Sequence, residues 1–258
     1  MRYIKTIIPF LFIISLISCQ DNSINVPPLY REEPTSFLEL ISQHPKRDAT
    51  LSSIGVESFG VANVLDPATN AHASFFSDAS RNTKVDAGDL YLGSDKFDKS
   101  GLHEYNLFGD LSAYFGTNAN ITVGGSATID SISFQMYIPE MIELVTPTID
   151  TINKKSDYSI KWNPDTNNTV GVFIKVEYNG QMNQHLINSN LPDTIITWSQ
   201  RIPDIGSFTI ESRVFEYFPK GGYIEISVER GNFSIYGEEQ KHLFSASSLD
   251  MKGLVVRY

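Results

Sequence analysis

The chain predicts an all-β protein of two β-sandwich-like units, and three features predict it. Apolar and polar residues alternate with period two, as in Ile132, Phe134 and Met136 against Ser131, Ser133 and Gln135, which sends one set to a core and the other to water. Turn-forming residues break these runs at short intervals, which favours antiparallel sandwiches over alternating strands and helices. Hydrophobic residues make up 41% and aromatics 12% of 258 residues, enough for one or two cores without disulfides, since there is a single cysteine.

The elements follow in order from the N-terminus. Arg2 and Lys5 precede an almost uncharged run from Ile7 to Ile17, then Ser18 and Cys19. A charged start, an apolar middle and a small residue before a cut mark residues 1–18 as an export signal. The run contains Pro9 and is too short for a membrane-spanning helix, which needs roughly 20 apolar residues. Small Ser18 before the lone Cys19 resembles the lipobox of bacterial lipoproteins. That resemblance implies a lipidated Cys19, carrying palmitate-type acyl chains, as the new N-terminus, with the body held at the outer membrane of the cell envelope. A plain secretory signal is the alternative, though it would leave an unpaired thiol in an oxidising compartment.

Residues 19–50 read as the lipidated cysteine and a tether. Asp21, Asn22, Ser23, Asn25, Pro27, Pro28 and Pro34 favour turns and extended chain, standing the body off the membrane. Ser36 and Glu39 have capping-box spacing ahead of Leu40 and Ile41, so a short helix is expected, ended by His44-Pro45. Residues 51–145 form an N-terminal β-rich unit, with strands at 58–64, 71–76, 89–93, 120–123 and 129–137. The segment from Ile138-Pro139 to Pro147 reads as a seam.

Residues 146–258 form the second unit. Tyr158-Ser159-Ile160-Lys161-Trp162-Asn163-Pro164 leads through a polar loop into an alternating strand from Gly171 to Gly180. A strand with Trp before Asn-Pro, a short loop and an alternating strand ending in Tyr is similar to strands B and C of fibronectin type III and immunoglobulin-like domains. The resemblance implies that Trp162 packs between two sheets. No cysteine pair stands at the immunoglobulin disulfide positions, so the fibronectin-like variant fits better. The pieces at 204–210 and 226–231 resemble the C-terminal domain of uncharacterised lipoproteins of Bacteroidota-type bacteria, over roughly residues 130–258. Further strands are expected at 195–198, 204–210, 221–231 and 254–258, with a helical or turn segment at 211–218.

The formal charge is −10, and loss of Arg2 and Lys5 with the leader makes the body more acidic still. Such a body lacks the clustered Lys and Arg that nucleic acid requires. It is also not drawn to anionic lipid, which leaves membrane attachment to the acyl chains on Cys19.

Catalytic patterns are missing from the linear sequence. His44, His72, His103, His185 and His242 show no close pair and no His-Glu-x-x-His, so no metal site is expected. Gly55 to Gly60 lacks the spacing of a Gly-x-Ser-x-Gly elbow. Asp86, Asp89, Asp95 and Asp98 cluster, but their spacing and the position of Gly do not match an EF-hand loop, so solvated carboxylates are expected. No Gly-rich phosphate loop follows a strand, so no nucleotide or other cofactor is expected. Three Asp-Ser/Thr-apolar triplets, at 130–132, 150–152 and 193–195, resemble the O-glycosylation acceptor of Bacteroidota envelope proteins.

The expectation is a non-enzymatic envelope lipoprotein acting as an interaction or scaffolding surface, with Cys19 as its functional residue and envelope proteins or glycans as partners. The alternative is a surface glycan-binding lipoprotein using loop aromatics: Tyr105, Phe108, Tyr114, Phe115, Tyr217, Phe218, Tyr223 and Tyr236. Core packing is the competing role for those rings.

Overall fold

The computed structural model describes residues 24–25, 34–62, 67–146 and 151–257. The leader, Cys19 and residues 20–23 and 26–33 of the expected tether lie outside the described residues. The described chain begins with β1 (Ile24–Asn25), the helix α1 (Phe37–Ser42), β2 (Thr50–Val61) and β3 (Ala68–Phe75). Then come β4 (Leu90–Leu92), β5 (Asp95–Lys96), β6 (Asp98–Lys99), β7 (Glu104–Phe108), β8 (Thr117–Val123) and β9 (Ile132–Ile138). Next are β10 (Leu144–Thr146), β11 (Thr151–Asn153), β12 (Tyr158–Trp162), β13 (Val172–Asn179), α2 (Gly180–Leu186) and β14 (Ile195–Ile202). The chain closes with β15 (Ser207–Ile210), α3 (Ser212–Phe215), β16 (Tyr223–Tyr236) and β17 (Lys241–Arg257).

The protein is all-β, and its sheets form two sandwich-like units. A ten-stranded sheet runs in the order β1-β14-β13-β16-β17-β2-β3-β7-β6, with β11 pairing the far end of β17. A four-stranded sheet, β5-β4-β8-β9, covers one part of its inner face, and a three-stranded sheet, β10-β12-β15, covers another. In the second unit the connectivity is that of the immunoglobulin-like Greek key. Strands β10, β12 and β15 form one sheet, β13, β14, β16 and β17 form the facing sheet, and β11 joins the latter by running parallel to the last strand. Trp162 lies in the core between these sheets.

The two units are welded rather than linked. β16 and β17 form one hairpin long enough to serve both, and β2 pairs in parallel with residues 241–251 of β17. On the inner face of β16, Ile224, Ile226 and Val228 enter the C-terminal core, and Tyr236 packs against the N-terminal one. On β17, Leu254 and Val256 serve the C-terminal core, while Phe244 and Ala246 serve the other. The N-terminal core therefore takes residues from beyond position 145. The hydrophobic alternation that makes one strand serve two cores is interrupted between them by Arg230 and Asn232 on β16 and by Ser248 and Asp250 on β17.

Part of the expected tether joins the body. Ile24 and Asn25 pair in parallel with Ile196 and Thr197, extending the large sheet by one short edge strand. The short helix forms where capping predicts it, with Ser36 Oγ accepting Glu39 N at 3.1 Å. Glu39 reaches back one residue further than a capping box requires, taking the amide of Thr35 at 2.8 Å. Phe37 and Ile41 of α1 then pack on the outer face of the large sheet with Phe173 and Leu243. Gly231 makes this approach feasible, because a Cβ there would lie 2.6 Å from the Phe37 ring.

Candidate functional site

The candidate site is the junction where the two sandwiches meet, and it is built on a buried ion pair. Arg230 is fully buried and donates through Nε to Asp204 Oδ2 at 2.6 Å and through a terminal nitrogen to Oδ1 at 3.0 Å. Its remaining donors reach the carbonyls of Glu140, at 3.0 Å, and Asn163. Asp204 also accepts Trp162 Nε1 at 2.8 Å and Asn168 Nδ2 at 3.0 Å. Burial alone would raise the Asp204 carboxyl, but the hydrogen bonds from Arg230, Trp162 and Asn168 outweigh it and hold the group below its ordinary value. Every charge at this point is paired and bonded, the condition under which an ion pair is tolerated in a protein interior.

A second set of polar side chains holds the seam, residues 139–145, against the hairpin. Ser248 Oγ accepts the amide of Ile142 at 2.8 Å, and Asp250 Oδ2 accepts that of Leu144 at 2.7 Å. Two side chains spaced by two on one strand face thus capture two amides spaced by two on the seam. Asn163 grips the seam from the other side through one carbonyl and one amide, donating to Met141 O at 2.8 Å and accepting from Glu143 N at 2.7 Å. Asp165 accepts the Tyr137 hydroxyl at 2.9 Å and the Glu140 amide at 3.0 Å, tying the end of β9 to the loop after β12.

Over this seam lies a cleft of about 730 Å³. Val61, Ser112 and Phe115 line it from the N-terminal unit, and Met141, Glu143 and Val145 from the seam. Its walls combine exposed apolar surface, with Val145 58% and Val61 41% accessible, and the exposed carboxylates of Glu140 and Glu143. Asp250 also borders the cleft, and burial raises its carboxyl above the ordinary value. Both of its oxygens are engaged, Oδ2 by Leu144 N and Oδ1 by Met251 N at 2.8 Å, so it acts as a structural acceptor rather than a free base. None of the five histidines lines the cleft. Chemically it is a surface for binding: apolar walls, an acidic rim and β10, an edge strand of its sheet, along one side.

The structure disperses the other candidates. Two of the four carboxylates in the acidic cluster are paired with nearby lysines, Asp86 with Lys99 at 2.9 Å and Asp89 with Lys96 at 2.8 Å. Asp86 is held down to about 2, chiefly by Lys99 and then by the Gly88 amide and Tyr105 hydroxyl. Asp95 accepts the Tyr114 hydroxyl at 2.7 Å. Among the described residues no group of three or more His, Cys, Asp or Glu is placed to hold a metal ion. His72 lies over Gly55, His44 packs edge-on to Phe233 at 5.4 Å, and His242 is buried beside Ser52. Of the loop aromatics, Tyr105, Phe115 and Phe218 are buried and Tyr114, Tyr223 and Tyr236 partly so. Phe108 and Tyr217 are exposed, one on β7 of the first unit and the other after α3 of the second, and they share no platform. Ser131 is exposed, Thr151 and Thr194 are half-buried, and Asp150 lies outside the described residues.

The chain matches no protein-family model and no curated protein, so its function is argued from this geometry.

The sequence reading missed the junction because its members are scattered from Tyr137 to Asp250. One signal was present: on β16 the inward set runs Ile224, Ile226, Val228, then Arg230 and Asn232. An arginine in register with a core face demands a buried partner.

Proposed function

We propose that the protein is a non-enzymatic lipoprotein of the cell envelope, anchored to the outer membrane through Cys19, whose junction cleft receives an extended segment of an envelope partner. The observation that carries this reading is the cleft itself, set over a seam that Ser248, Asp250 and Asn163 hold rigid. A rigid groove limits the entropy lost on binding. The acidic rim formed by Glu140 and Glu143 suits a segment carrying Lys or Arg, and Val61, Phe115 and Val145 supply apolar contact.

The test is site-specific photo-crosslinking in intact cells. A photoreactive residue at Val145 should give a discrete adduct that Glu143→Lys weakens, while one at exposed Leu102, on the N-terminal unit outside the cleft, should not. The same adducts from both positions, or none from Val145, would overturn the assignment of the cleft.

A further inference from the structure

The folded body begins close to the residue proposed to carry lipid. β1 runs parallel to β14 with Ile24 beside Ile196, so β1 starts at the end of the sheet where β14 starts. Cys19 precedes Ile24 by five residues. Five residues span at most about 18 Å even when fully extended.

That same end of the sheet carries the connection between β13 and β14, which is fastened to the sheet and exposes large apolar side chains among polar ones. Leu186 is 66% exposed, Ile187 48% and Ile195 41%. Met182, Leu186 and Ile187 line a hollow of about 190 Å³ beside Tyr223. These side chains are not free to fold inward, because buried Asn183 fixes α2. Its amide donates to Asn179 O at 2.9 Å and Tyr223 O at 2.8 Å, and its carbonyl accepts Tyr223 N at 2.6 Å. The rest of the connection is fastened too, by Tyr178 to Pro192 O at 2.9 Å and by Gln184 to Leu191 O at 2.8 Å.

We infer that this end of the C-terminal unit rests on the bilayer, with Leu186, Ile187 and Ile195 entering its interfacial layer. The inference rests on the lipidation of Cys19 proposed above. A five-residue reach confines the patch to the membrane's immediate neighbourhood, so its contact with lipid is effectively intramolecular. Acyl chains and a second apolar contact together give firmer attachment than either alone. Electrostatics does not supply that second contact, because the chain is acidic and Asp193 and Glu225 flank this connection and its hollow. The contact is therefore apolar and independent of salt. The cleft over the seam belongs to the opposite end of the C-terminal unit, where β13 begins and β14 finishes, and it stays open to partners.

Full-length lipidated protein, reconstituted into phosphatidylcholine vesicles with brominated acyl chains, tests the orientation. Bromine quenches indole emission on contact, and the native Trp162 and Trp198 are buried at 3% and 2% exposure, giving a constant background. The I187W chain should lose most of its added emission in brominated vesicles, at low and at high salt, while the F108W chain should lose none. Undiminished emission from I187W in protein that floats with the vesicles, and whose flotation Cys19→Ala abolishes, would overturn the orientation and leave the anchor standing. Flotation unchanged by Cys19→Ala would overturn the anchor, and the orientation with it.

Discussion

Arg230 grips both oxygens of Asp204 at the boundary between two hydrophobic cores, at 2.6 and 3.0 Å, with both side chains essentially inaccessible. The arginine comes from the hairpin shared by both units and the aspartate from the loop after β14. Because Arg230 also holds the Glu140 and Asn163 carbonyls, this pair ties the segments after β9, β12 and β14 to the hairpin that both sandwiches share.

Removing one member should cost far more than removing both. Asp204→Asn leaves the Arg230 charge buried without its counter-ion and should destabilise by about 3–5 kcal/mol. The double variant Arg230→Met with Asp204→Leu should recover a large share of that loss, since neither charge then needs a partner. Urea unfolding of Arg230→Met alone, Asp204→Leu alone and the double variant measures the coupling. Simple additivity of the single effects would show that the pair does not act as a unit.

Asp250 and Ser248 give a second, milder prediction. Asp250→Ala leaves the amides of Leu144 and Met251 without their acceptor, which should cost about 1–3 kcal/mol. Hydrogen exchange at Leu144 should accelerate more than at Ile142, whose acceptor is Ser248, and Ser248→Ala should reverse that order. Equal acceleration along the seam in both variants would mean that the two side chains do not act on separate amides.

What the sequence made legible, and what it hid, follows from how far apart the interacting residues lie. Period-two alternation located β9, β12 and β13, and Trp162 before Asn163-Pro164 marked a residue that the structure buries between sheets. The Ser36 cap was readable because its partner, Glu39, is three residues away. The first half of β17 was not readable. Its residues Ser245, Ala246, Ser247 and Ser248 have weak strand preference, and they form a central strand only because β16 and β2 flank them. Asn179-Gly180 resembles a hairpin turn, yet Asn179 caps α2, its Oδ1 accepting Met182 N at 3.0 Å. The cleft joins Val61, Phe115, Glu143 and Asp250, residues that no local pattern connects.

Gly231 should be intolerant of a side chain for a reason outside the sheet. It lies under the Phe37 ring, and a Cβ would meet that ring at 2.6 Å. Gly231→Ala should therefore displace α1 rather than unfold β16, since its backbone conformation suits any residue. The expected readout is faster proteolysis between residues 34 and 47 with the two sandwiches intact. Phe37→Ala should expose the same sites, and the double variant should be no worse than the worse single one. Strongly additive effects would show that Gly231 acts through something other than Phe37.

His242 should make stability fall as the medium turns mildly acidic. It is fully buried, with Nδ1 3.1 Å from Ser52 Oγ and Nε2 without a hydrogen-bond partner. Burial lowers its pKa below the ordinary 6.5, against a smaller opposing pull from Asp130. The folded state therefore keeps the ring neutral at pH values where the unfolded chain has already taken up a proton. The unfolded state then binds more protons, so stability rises with pH through this window. The contribution is complete above pH 6.5, declines as pH falls below it, and levels off once the folded ring also titrates. Thermal unfolding from pH 7.5 to 5 should show that decline in the wild type, and His242→Gln should remove the histidine's share of the slope while losing some stability at pH 7.5. An unchanged slope in His242→Gln would place the acid sensitivity in other groups, of which Asp204, held below its ordinary value by Arg230, acts in the same direction but at lower pH.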